Sequence, residues 1–191
     1  MKKEIKNIVF CAMYIALGVT IANVLHWASP GIGRVLSPMH FTVIIAGLML
    51  GWKYGLVAGI LTPLISSLFG MPPFFPTGVC MALECGVYGL VAGLLASKLV
   101  IMKDEKFNFV NIIIILVIAM IAGRLVGGLF NAIYLGIKPD ASYTFKAFLN
   151  SYIVVQLPSI ILQFILIPMI VTPLKKLEGN NKVEESEASE E

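Results

Sequence analysis

TGVCMALECGVYGLVAGLLASKLV, residues 77–100, carries one carboxylate, Glu84, and one further charge, Lys98, near its end. An apolar run of this length crosses a bilayer as a helix. A second long run, Phe109–Leu135, also carries a single charge, Arg124. An ionisable side chain at membrane depth costs about 2.5–3.5 kcal/mol or more unless it is paired or hydrated. Two such groups of opposite sign point to a polar site inside a helical bundle, turned away from lipid.

Outward from these two runs, six hydrophobic elements are predicted: Ile5–Leu25, Pro38–Gly51, Tyr54–Phe69, Thr77–Val100, Phe109–Leu135 and Phe145–Leu174. The chain has 191 residues, 58% of them hydrophobic and 13% charged. A soluble domain carries about twice that charged fraction. The expected fold is therefore an all-α integral membrane protein, a compact six-helix bundle over residues 1–176. Six of the eleven acidic residues fall between Glu178 and Glu191. Residues 177–191 accordingly read as a disordered acidic cytoplasmic tail. With the N-terminus inside, ten Lys residues lie on the cytoplasmic side, and Arg34, Lys138 and Lys146 lie outside. The positive-inside rule then places both termini in the cytoplasm of a multi-pass cell-membrane protein.

The second element is short. Ser37 suits an N-cap and Pro38 the first helical position, and about 14 residues give roughly 21 Å of helix against a hydrocarbon layer of about 30 Å. Pro63 interrupts the hydrogen-bond ladder of the third. Helices that start at the cytoplasmic face and stop short leave space above them. Two connections are available to fill it: His26–Ser37 and Gly70–Pro76. Irregular backbone at membrane depth is tolerated where it is buried in protein or lines a cavity, so an outward-facing cavity capped by these two loops is expected, with Pro72, Phe74 and Phe75 in its lid. Tyr54-Gly55-Leu56-Val57-Ala58-Gly59 recurs as Tyr88-Gly89-Leu90-Val91-Ala92-Gly93, and glycines four apart allow close helix packing in the inner half.

The candidate ligand-binding residues are His40, Glu84, Tyr88, Arg124, Asn131 and Gln156. Arg124 and Asn131 are seven apart on one helical face, as are Gln156 and Gln163; Glu84 and Tyr88 are four apart. Glu84, Arg124, Asn131 and Gln156 fall at a common depth, with His40 near it. Structural readings stand beside these. Glu84 and Arg124 could pair as an interior strut, the glutamines could tie helices together, His40 and Tyr88 could be packing residues, and the aromatic loop could be an interfacial anchor. Cys11, Cys80 and Cys85 form no CxxC pair or Cys/His cluster, so no metal or disulfide is expected. No phosphate loop, HExxH or GxSxG motif occurs, so no enzymatic activity and no cofactor is expected.

Several segments together resemble a known family. Ser37-Pro38-Met39-His40 through Ile45-Ala46-Gly47, Gly51-Trp52-Lys53-Tyr54-Gly55, Leu61-Thr62-Pro63-Leu64, Gly70-Met71-Pro72-Pro73, Met81-Ala82-Leu83-Glu84, Tyr88-Gly89-Leu90 and Gly123-Arg124 are similar to the S components of energy-coupling factor (ECF) transporters, with the segment around His40 and the Gly70–Pro76 connection most like a pantothenate-type branch. The resemblance implies a six-helix subunit that captures a small vitamin or precursor for an ABC importer. Its partners would be a transmembrane coupling subunit and two cytoplasmic ATPases, which alone would use ATP. The family's small-residue pair on the first helix falls on Ala12 and Ala16, giving a flat docking face; internal packing is the other reading. The alternative function is an autonomous small-solute channel or ion-coupled carrier, which would need a continuous polar path or an alternating-access repeat.

Overall fold

The computed structural model of the chain describes residues 2–102, 109–136, 150 and 154–187. These form seven helices: α1 Lys2–Ala28, α2 Pro30–Leu36, α3 Pro38–Leu50, α4 Trp52–Leu68, α5 Thr77–Met102, α6 Phe109–Gly136 and α7 Leu157–Glu187. No strand occurs among the described residues. Among the described residues five runs are long and apolar enough to cross a bilayer: Glu4–Ala28, Gly31–Leu50, Thr77–Lys98, Phe109–Tyr134 and Leu157–Leu177. The chain is therefore an all-helical membrane-embedded protein. Its outer surface agrees, since Ile8, Val24, Ile121, Leu129 and Ile165 are all exposed.

Two features differ from the expectation. The first connection is largely helical. Ser29 stands before Pro30, and a proline at the first helical position starts α2; the Gly- and Pro-containing run had masked this. The last span begins at Leu157, and the part of the sixth element from Phe145 to Ile153 lies, apart from Asn150, outside the described residues. Helical backbone of α7 extends to Glu187; Lys, Leu and Glu are good helix formers.

The short second element is observed as α3, 13 residues long. Ser37 sits at its N-cap, but its side chain makes no capping bond. Its backbone is left-handed instead, with φ 43°, so one residue closes α2 and opens α3 and turns the chain sharply. α4 has 17 residues and keeps Pro63 within a continuous helix, so Pro63 does not end it. Beside Pro63, the Thr62 hydroxyl donates to Ala58 O at 2.7 Å.

α5 is the central helix. It packs on α3, α4 and α6, and glycines set how close the first two come. A Cβ on Gly89 would collide with Gly55 O, one on Gly55 or Gly47 with Gly89 O, one on Gly59 with Cys85 O, and one on Gly93 with the Trp52 backbone. The two sequence repeats thus lie against each other. The apolar core around this crossing includes Ile44, Leu48, Cys85, Ala92, Ile112, Leu116 and Ile167.

If this backbone contact holds the bundle, Gly89→Ala lowers stability by about 1–3 kcal/mol through overpacking. Gly31→Ala, which meets only Ser29 Oγ at 4.0 Å, leaves it nearly unchanged. Thermal unfolding of the purified protein in detergent compares the two, and equal midpoints would contradict the packing described.

Candidate functional site

Glu84 is 4% exposed and Tyr88 1%. One helical turn apart on α5, they share a face, and the Tyr88 hydroxyl donates to Glu84 Oε1 at 2.5 Å. The face they share meets α6, where Gly123 and Gly127 leave the room required. A Cβ on Gly123 would strike the Tyr88 ring, and one on Gly127 the Glu84 carboxylate. On its other side the Tyr88 ring meets His40 of α3 edge-on, with centroids 5.0 Å apart. His40 is buried, and neither of its ring nitrogens has a hydrogen-bond partner.

Arg124 of α6 is also buried. Its Nη2 donates to Gln156 Oε1 at 3.1 Å, while Nε and Nη1 are buried without partners. Glu84 and Arg124 make no ion pair. The two groups act on each other electrostatically without direct contact: Glu84 is bonded to Tyr88 on its own helix, and Arg124 to an amide from the segment before α7.

Above these groups lies a cavity of about 580 Å³. Its wall is drawn from most of the bundle: Ala22 and His26 of α1, Gly33 of α2, Ser37 to His40 at the start of α3, Thr77, Cys80, Met81 and Glu84 of α5, Asn131 of α6, and Val155 and Gln156. Pro72, Pro73 and Phe74 complete it. Of the predicted residues, His40, Glu84, Asn131, Gln156, Pro72 and Phe74 therefore share one wall. Tyr88 and Arg124 stand behind it, each bonded to a residue in it. Phe75 is 79% exposed and takes no part in the wall. Adjacent phenylalanines in an irregular loop point differently, which composition does not reveal.

The loop between α4 and α5 is fastened to the helix it leaves. The Ser66 hydroxyl donates to Pro72 O at 2.8 Å, the Ser67 hydroxyl to Pro73 O, and Met71 N to Ser66 O at 3.0 Å. Ser66 also reaches Asn23 Oδ1 of α1 at 3.4 Å. On the far side, Ser159 of α7 donates to Leu36 O at 2.6 Å, and Gln163 Nε2 donates to Ser159 at 2.8 Å. Gln163 thus braces Ser159 from one turn along α7 and does not itself join two helices. Sequence reasoning missed His26, Ser37, Met39, Cys80 and Met81 as wall residues. Ser37 and Met39 carried a signal, since they flank His40 at the chain reversal; the others carried none. Among the described residues no group of three or more His, Cys, Asp or Glu could hold a metal.

Fold and cavity together define a helical membrane protein with a partly open, mostly apolar hollow into which a few polar side chains are set. The chain belongs to the family described as ECF transporter, substrate-specific component, whose model matches residues 6–171. It is therefore a substrate-specific membrane subunit of an ECF-type importer, a transporter component and not an enzyme, and its family associates with ECF transmembrane and ATPase modules. No curated protein and no solved structure matches the chain.

Removing the Tyr88 hydroxyl leaves a buried carboxylate short of a donor. Tyr88→Phe is expected to cost about 1–3 kcal/mol, and Glu84→Gln to Tyr88→Phe should be strongly non-additive. A double-mutant cycle of unfolding in detergent checks this, and strictly additive losses would show that the bond contributes nothing.

Proposed function

We propose that this subunit captures a vitamin-sized polar solute from outside the cell, with pantothenate the best candidate, and hands it to an ATP-driven coupling module. The observation that carries the reading is the cavity itself, in a chain of this family. Small-ligand sites run from about 300 to 1,000 Å³ and combine apolar walls with a few convergent polar groups. Here Met39, Met81 and Phe74 supply the apolar part, and His40, Glu84, Asn131 and Gln156 supply donors and acceptors. Pantothenate, with hydroxyls, an amide and a carboxylate, matches such a mixture.

The remaining parts of the reading follow from membrane physics. Ten lysines against three basic residues favour cytoplasmic termini, which puts the cavity toward the outer face. With α4 counted as a crossing the chain has six. Its 17 residues give about 26 Å of helix, short of the hydrocarbon thickness of about 30 Å, and the loop pinned at its end covers the difference. That loop, with Pro72 and Phe74 inward and Phe75 at its edge, serves as the lid. Ala12 and Ala16 are exposed on α1, flanked by the exposed Ile8, Val9 and Met13. Small residues in an exposed apolar face let a partner helix approach closely in lipid, and we assign this face to the transmembrane coupling subunit.

Mass spectrometry of the solute retained by the purified chain tests the substrate. Pantothenate at near one-to-one occupancy is expected; another vitamin reassigns the substrate, and uptake into liposomes by this chain alone would favour an autonomous carrier. For the docking face, Ala12→Leu with Ala16→Leu should cut co-purification of the coupling and ATPase subunits at least tenfold. Normal assembly of that double variant removes the role given to this face.

A further inference from the structure

We propose that Gln156 is a built-in stand-in for an anionic ligand group: its amide holds Arg124 until the carboxylate of the captured solute displaces it. The proposal rests on the solute-capture reading above and adds the ligand's charge class and the residue that gates it.

The argument begins with an unmet need. Arg124 is 8% exposed, and an arginine side chain stays charged even when buried. It offers five N–H donors, yet only Nη2 has a partner, and that partner is a neutral amide oxygen. Glu84, the one buried carboxylate among the described residues, is engaged by Tyr88. Glu84 is near enough to act on Arg124 electrostatically but gives it no hydrogen bond, so two buried nitrogens of a cation are left without an acceptor among the described residues.

Gln156 is placed to be exchanged. It lines the cavity and bonds Arg124, so it touches both the hollow and the cation behind it. It lies in the turn just before α7, and its own carbonyl accepts from Ile160 N at 2.9 Å. The main chain there is fixed by the first turn of α7, and the side chain alone has to rotate. The guanidinium presents two parallel donor pairs, Nε with Nη2 and Nη1 with Nη2, and carboxylates favour such paired contacts. Nη2 carries two N–H groups, one in each pair, so Gln156 holds one of the pairs. Gln156 stands in the cavity wall and Arg124 behind it, so a carboxylate entering from the cavity reaches the guanidinium by displacing the amide, and it exchanges a neutral acceptor for an anionic one. His40, whose two ring nitrogens are unpartnered in the same wall, is left for a hydroxyl or amide elsewhere on the solute. The ligand class is thus a small monocarboxylate with a polar body.

The test uses the full chain, freed of retained solute, and three matched pairs of probes: pantothenate with pantothenol, biotin with biotin amide, and nicotinate with nicotinamide. Binding is read by titration calorimetry. At least one acid is expected to bind, at least 30-fold more tightly than its neutral partner, and Arg124→Gln should erase that difference. Gln156→Glu places a permanent carboxylate on Arg124, so it should weaken acid binding at least 30-fold while the thermal midpoint holds or rises. Gln156→Ala removes the internal competitor and should tighten acid binding several-fold. A merely structural glutamine would lose binding in both variants. Equal binding of acid and neutral partner, no binding of any acid, or wild-type affinity in Gln156→Glu each overturns the proposal. Binding of biotin or nicotinate in place of pantothenate keeps the proposal and removes pantothenate as the substrate. The acid-against-neutral comparison on the wild-type chain stands even if a variant fails to fold.

Discussion

Backbone meets backbone where Gly55 of α4 crosses Gly89 of α5, and the rest of the bundle is arranged around that contact. In lipid, apolar surface gains nothing by leaving the solvent, so helices associate through van der Waals contact and hydrogen bonds. Glycine allows both to begin at the main chain. Gly47 brings α3 onto the same atoms, and Gly59 and Gly93 extend the contact along α4 and α5. With α5 held on these sides, its remaining face is turned to α6, and that face carries Glu84 and Tyr88.

The polar groups follow from this placement. Gly123 and Gly127 let α6 close over Tyr88 and Glu84, so a carboxylate and a phenol are buried together and satisfy each other. A buried carboxylate with a hydroxyl donor at 2.5 Å is far less costly than one without. Arg124 has no such settlement. It sits behind the cavity wall with two nitrogens unpartnered, which is the need that the proposed carboxylate of the solute would meet.

Much of this was legible in the chain. The long apolar runs gave α1, α5 and α6 closely, and the Ser37-Pro38 start gave α3. Glu84 with Tyr88 could be read from a spacing of four, because helical geometry fixes which residues share a face. Partner choice between helices could not. Opposite charges in two spans suggest a pair, but which face of α6 meets α5 depends on how Gly123 and Gly127 seat it, and the rotation that results gives Arg124 to Gln156. The helix α2 was hidden for a different reason: Ser29-Pro30-Gly31 reads as a turn until the left-handed Ser37 is seen to close a helix and open the next. Ser66 and Ser67 gave no sign that they would fasten the loop before α5, since their partners are main-chain carbonyls whose path only the fold defines.

The central claim is that the hollow bounded by His40, Glu84, Asn131 and Gln156 holds the transported solute. An experimental structure of the chain with its retained solute tests this most directly. The account predicts density for the solute in that hollow, beneath Pro72 and Phe74, with an oxygen of the solute on the Arg124 guanidinium. Density at the opposite end of the bundle, or an occupied hollow with Arg124 still bonded only to Gln156, would contradict it.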